Sequence, residues 1–120
     1  LMQLLMQSVP MADPLGEYDK VKTQVNLLSV GTAQLLTIPG EALPNIGFYL
    51  KRKMPARHPF LLGLANDAFG YMLTKYDFNS FERYDYISET SLGEMAAEKY
   101  VEEALDLIKS SPPPDRPLAK

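Results

Sequence analysis

Cysteine is absent and histidine occurs once in the 120 residues. The first absence excludes disulfides, thiolate zinc sites and cysteine nucleophiles, and it leaves the redox compartment open. The second makes a self-contained catalytic zinc hard to build, because such sites take three protein ligands, mostly histidine. The single histidine, His58, sits between Arg57 and Pro59. A neighbouring cation repels a metal ion, so His58 reads as an ordinary surface residue. No apolar run approaches the ~20 residues that a membrane helix needs. The opening "LMQLLMQSV" is apolar but short and lacks a basic flank, which makes it a poor signal peptide. A dense basic block is also missing, and the net charge is −3. The nearest approach is Lys51, Arg52, Lys53, Arg57 and His58. That group reads as the last turn of a helix, where cations suit the helix dipole. It does not read as a phosphate-neutralising stripe, and nucleic acid is not an expected partner. Neither a Gly-rich phosphate loop nor a G-x-S-x-G elbow occurs. "YDFNSFERYDY" offers Asp77, Asn79, Glu82 and Asp85, but without the glycine-bearing loop of a calcium site.

What remains is one domain's worth of chain, long enough to bury roughly two-thirds of its unfolded surface. Residues 1–22 read as an N-terminal extension or loop, with one or two helical turns available at the start. Residues 23–110 form the domain, and "SSPPPDRPLAK" ends in a Pro-rich tail over 111–120 that cannot continue a helix. The chain opens on leucine, not methionine, and so reads as a processed product or a piece of something longer.

Within the domain, "TQVNLLSV" and "AQLLTI" read as two strands joined at Gly31 and Thr32, a length that suits a tight hairpin. A helix is predicted from Glu41 to Met54, with Leu43, Ile46, Leu50 and Met54 as its apolar stripe. Pro44 falls in its first turn, where amides lack partners anyway. "PFLLGLAN" reads as a strand covered on both faces, and "AFGYMLT" as a further short run. Residues 75–89 read as a long ordered loop. Ser91 and Glu94 match a capping box ahead of a helix over 92–109. Ala97, Val101, Ala104, Leu105 and Ile108 share one face of that helix. The order β-β-α-β-β-loop-α predicts an α/β fold, with α+β as the neighbouring possibility. In either, two main helices pack on a mixed sheet.

Two features carry possible chemistry. "IPGEALPNIG" places Glu41 at the junction of a buried strand and a helix. The acid either caps the helix, gaining ~0.5 kcal/mol from the dipole, or belongs to a site. The second feature is a crowd of rings: Phe69, Tyr71, Tyr76, Phe78, Phe81, Tyr84 and Tyr86. They either hold an irregular loop onto the sheet by burial, or one or two of the phenols line a pocket and ligate or orient a polar group.

Three segments in fixed order resemble the C-terminal part of the catalytic region of neutral (non-lysosomal) ceramidases and their uncharacterised microbial relatives. They are "LLTIPGEALPNIG" (35–47), "LLGLANDAFGYMLT" (61–74) and "RYDYISETSLGE" (83–94). The shared marks are Pro-Gly-Glu at a strand end, Gly-Leu-Ala-Asn, a tyrosine followed three residues later by threonine, and a Tyr-acid pair before the last helix. The resemblance implies a zinc-dependent amide hydrolase of sphingolipid metabolism acting on N-acyl lipids. It implies Glu41 and Tyr71 as metal ligands and Tyr84 as a catalytic-site tyrosine near the substrate. Zinc in such a site lowers the pKa of its water toward ~7 and polarises the amide carbonyl. The family's two histidine ligands lie far upstream and have no counterpart in these 120 residues. Tyr84 is followed by Asp85 where the family has glutamate, Phe78 stands at a tyrosine position, and the stretch before the last helix is contracted to "TSLGE". The resemblance therefore implies a fragment, inactive alone, that holds no zinc tightly and pairs with a missing upstream region or with another copy. It allows a secreted or membrane-associated location. The other reading is a non-catalytic α/β module for binding or assembly, in which Glu41 is a cap and Tyr71 is core.

Overall fold

A computed structural model describes residues 22–114. The hairpin forms as its sequence requires. Strand β1 (Leu27–Val30) runs antiparallel to β2 (Ala33–Thr37), with Val30 opposite Ala33 across the two-residue turn. Gly31 takes φ +57° there, a conformation that glycine adopts without penalty. After β2 come a two-residue strand β3 (Glu41–Ala42), helix α1 (Pro44–Lys53) and β4 (His58–Leu62). Strand β4 returns parallel to β2, giving a three-stranded mixed sheet in the order β1-β2-β4. A parallel pair needs a crossover, and α1 supplies it. Then follow β5 (Tyr71–Met72), a 3₁₀ turn (Glu82–Tyr84), α2 (Asp85–Glu89) and α3 (Ala96–Ser110). The α/β class is as the sequence pattern predicts.

Both long helices lie on one face of the sheet. Along β2, Gln34 and Leu36 are buried while Ala33, Leu35 and Thr37 are only partly so. Leu36 and Ile38 meet Ile46, Leu50 and Met54 of the α1 stripe and Ala97, Tyr100, Ala104 and Ile108 of α3. Most of both predicted stripes is therefore core, with Tyr100 as an addition; Val101 and Leu105 pack at its edge, and Leu43 lies before the helix and outside the core. Gln34 is an exception to the apolar rule. It is fully buried, with a long 3.4 Å bond from Nε2 to Ser29 Oγ and no partner on Oε1.

The structure corrects several local expectations. Helix α1 begins at Pro44, not at Glu41, and its first turn holds no acid. The amides of Glu41 and Leu43 are taken by Gly70 O (2.9 Å) and Met72 O (3.0 Å), which makes this stretch a strand. The capping box does not form either: α3 starts at Ala96, and no side chain caps it. Gly93 at φ +112° turns the chain first. Ser91 Oγ is occupied nearby, donating to Ser88 O and accepting from Gly93 N. The predicted loop over 75–89 holds the 3₁₀ turn and α2. Strand β4 is covered on one face, not two: His58, Phe60 and Leu62 are exposed while Pro59 and Leu61 alternate inward. Residues 1–21 and 115–120, with most of the predicted extension and tail, lie outside the described residues.

Tyr100 ties α3 to the sheet, its hydroxyl donating to Thr37 O at 2.9 Å. Burial pushes this phenol well above its ordinary value of 10.0. The unfolded chain ionises the phenol near 10 while the folded chain keeps the proton. The contribution is therefore fully present below about pH 10 and is lost as pH rises beyond it. Tyr100→Phe is expected to cost about 1 kcal/mol at pH 7. It should also remove part of the stability loss seen above about pH 10, where each unit is worth ~1.4 kcal/mol. Urea melts of both proteins at pH 8 and pH 11 check this through the difference between the two slopes.

Candidate functional site

The carboxyl ends of the parallel strands β2 and β4 lead into one clamped junction. Ile38, Pro39 and Gly40 are all buried. The chain after β4 runs alongside them: Ala65 N donates to Ile38 O (3.0 Å), Phe69 N to Pro39 O (2.9 Å) and Leu64 N to Gly40 O (3.0 Å). Asn66 holds the turn at φ +74°, a region asparagine tolerates better than most residues. Its Nδ2 donates to Gln24 O (2.8 Å), Asn26 Oδ1 (2.7 Å) and Thr37 Oγ1 (3.2 Å). Ligands of open α/β sheets gather beyond the carboxyl ends of strands, and Glu41 emerges at this end.

Strands β3 and β5 pair in parallel there, with Glu41 opposite Tyr71 and Ala42 opposite Met72. Opposed residues of a parallel pair point to the same face, on strands ~4.8 Å apart. Met72 is buried in the core, so Glu41 and Tyr71 take the outward face together. Glu41 is exposed and Tyr71 half-buried. Tyr71 is bridged on its other side to Ser91, and its ring meets Tyr86 edge-on, centroids 6.1 Å apart at 70°.

Tyr84 lies in the same segment but keeps other company. Its ring packs edge-on against Phe81 at 5.7 Å, and the Arg83 guanidinium lies 5.2 Å from both rings. The ring that reaches Tyr71 is Tyr86, one of the aromatic crowd with no individual signal in the sequence. Positions two apart on a helix do not share a side, so Tyr84 and Tyr86 separate once α2 forms.

His58 is remote from this site. It opens β4 beside Ala33, whereas Glu41 follows the far end of β2. A strand of that length puts ~13 Å between the two ends. Among the described residues, no group of three or more His, Cys, Asp or Glu is placed to hold a metal ion. Two hollows, of about 300 and 510 Å³, are lined by neither Glu41, Tyr71 nor Tyr84. Zinc accepts a carboxylate oxygen, and the β3–β5 register brings the Glu41 carboxylate and the Tyr71 phenol to one face.

A polar brace keeps the segment after β5 in place. Asn45 Nδ2 and Thr74 Oγ1 both donate to Asp77 Oδ2, at 2.9 and 2.8 Å, and Lys75 N donates to Glu98 Oε1 at 2.7 Å. These bonds fasten the chain leading to Tyr84 and Tyr86 onto α1 and α3. Asp77, a candidate cation ligand by composition, is thereby engaged as an internal acceptor. No helix among the described residues is long and apolar enough to cross a membrane.

The chain matches none of the protein-family models, curated proteins or solved structures with which it was compared.

Proposed function

We propose that this chain carries half of the metal site of a zinc-dependent amide hydrolase acting on N-acyl lipids. It would be a ceramidase-like segment without turnover of its own. The observation that supports this most is the register pairing of Glu41 with Tyr71 on one outward face. A capping role for Glu41 is removed by the start of α1 at Pro44, which leaves the acid at a strand end with its side chain exposed. Zinc, when bound, supplies Lewis acidity toward an amide carbonyl and acidifies a water molecule.

The residues of this chain do the positioning. The β3–β5 pairing fixes the backbone spacing of Glu41 and Tyr71. Tyr86 limits the swing of the Tyr71 ring. Tyr84, held between Phe81 and Arg83, offers a second phenol from the same segment as a substrate contact. The test is catalytic. In the full polypeptide that contains this segment, Glu41→Gln and Tyr71→Phe should abolish zinc-dependent release of fatty acid from an N-acyl sphingoid base without unfolding the protein. Retained rates in either variant would overturn the proposal.

A second reading, a non-catalytic binding or assembly module, draws on a different observation: the sheet's outer face is apolar and uncovered among the described residues. It predicts that neither substitution changes any measured activity.

A further inference from the structure

Strand β1 is an edge of the three-stranded sheet. Its residues, Leu27 to Val30, include no charge and no proline, and its register with β2 runs without a bulge. Charge, proline and bulges are the devices that blunt an edge, and without them an edge is a template for another strand. The register also says which groups are open. Val30 and Ala33 flank the two-residue turn, so they exchange hydrogen bonds, and such pairs alternate along an antiparallel ladder. Leu28 and Asn26 continue that series, and Thr37 N accordingly donates to Asn26 O at 2.9 Å. The N–H and C=O of Leu27 and Ser29 therefore point away from β2. Among the described residues nothing takes them.

A hollow of about 300 Å³ lies against this edge. Leu27, Ser29 and Gly31 line it, facing Ser111, Pro112 and Pro113, where the chain leaves α3. Ser111 is extended, at φ −84° and ψ 146°. Its N and Oγ both donate to Leu107 O, at 3.0 and 2.6 Å, which ties this wall down. The two prolines bring rings but no N–H, so they do not compete for the carbonyls of β1. Behind Ser29 lies Gln34, fully buried, with Nε2 donating to Ser29 Oγ at 3.4 Å and Oε1 without a partner. Because Ser29 Oγ accepts from Gln34, its own proton is free to be given to a group in the hollow. A buried amide left half-satisfied is costly to a fold, and here it backs the one side-chain hydroxyl that β1 offers.

We infer that this edge takes an extended peptide of a partner protein as a fourth strand. Leu27 and Ser29 together offer two donors and two acceptors, repeating at ~6.8 Å along the strand. The backbone of an extended chain matches that repeat. Main-chain bonds then supply the affinity, and alternate side chains entering a flanking pocket supply the choice. The side chain that enters here meets the Ser29 hydroxyl and the proline rings, which favours a short residue with an acceptor oxygen, such as threonine. The inference does not depend on the zinc reading.

The test uses the full 120-residue chain and the blocked peptide Ser-Val-Thr-Val-Ser, followed by NMR. On titration to saturation, the amide signals of Leu27 and Ser29 should move downfield and their hydrogen exchange should slow several-fold. Leu28 and Val30, already bonded to β2, should change little. Methylating one alternate set of peptide nitrogens should abolish both effects, and methylating the other set should leave them. Ser29→Pro should still fold, because that N–H is outside the β1–β2 ladder, and should lose the peptide. Equal effects on all four amides, binding that survives both methylations, or no response to the peptide would overturn the inference. So would slow exchange at Leu27 and Ser29 in the chain alone. If independent of concentration, that result assigns the edge to the chain's own residues; if it grows with concentration, to a second copy.

Discussion

Gly70→Ala is expected to destabilise the protein by at least about 3 kcal/mol, a large share of what a domain of this size possesses. Two causes add. Gly70 sits at φ +79°, where a side chain costs roughly 1–2 kcal/mol. A Cβ built there would also lie 1.9 Å from Thr90 O, closer than any non-bonded contact. Thr90 cannot yield easily, because its amide and its hydroxyl both bond Tyr86 O, at 3.1 and 2.8 Å. Relief must come from moving residues 70–72, and Gly70 O is the acceptor for Glu41 N. The substitution therefore strikes the β3–β5 pairing itself. Gly31→Ala is the control: φ is +57°, but nothing lies within 4 Å of its Cβ, and only about 1 kcal/mol should be lost. Urea denaturation of the three proteins decides. Equal midpoints for the two variants would mean that Thr90 does not press on Gly70.

On the proposed zinc reading, loss of turnover in a polypeptide that completes the site should be of comparable size when measured as a rate. Glu41→Gln keeps the size of the side chain and removes its charge. Partners of a metal ligand, one step removed, typically cost roughly 10–100-fold when changed, so a ligand itself should cost at least about 100-fold. Tyr71→Phe removes the phenol oxygen and keeps the ring against Tyr86. Both variants should melt within about 0.5 kcal/mol of the parent, since neither side chain is in the core. Tyr84→Phe separates metal holding from substrate contact: it should lower turnover with the bound zinc unchanged. Full activity in Glu41→Gln, with intact folding, would remove the acid from the site.

The parts of this fold that were legible in the sequence are those fixed by local pattern. Gly31 and Thr32 between two apolar runs gave the hairpin, and the α1 and α3 stripes named most of the core. The illegible parts depend on distant partners. Glu41 and Ala42 look like the start of a helix until Gly70 and Met72, some thirty residues on, take their amides as a strand. Ser91 and Glu94 look like a cap until Gly93 breaks the path. The apolar run of β4 is compatible with burial on both faces, and nothing within it says that one face would stay open. Of the candidate site, the resemblance points to Glu41 and Tyr71, which are neighbours in the strand register, whereas the contact of Tyr71 with Tyr86 follows from the turn of α2 and has no local signal in the sequence.

Zinc titration of the 120-residue chain, followed by NMR shifts of the backbone and the tyrosine rings, reaches the central question most directly. Two oxygen donors should hold zinc weakly, with half-saturation on the order of 1 mM, equivalent to about 4 kcal/mol. The largest shifts should fall at Glu41 and Tyr71, and Glu41→Gln should erase them. Zinc that leaves both residues unmoved, or that binds tightly and stoichiometrically elsewhere in the chain, would contradict the assignment.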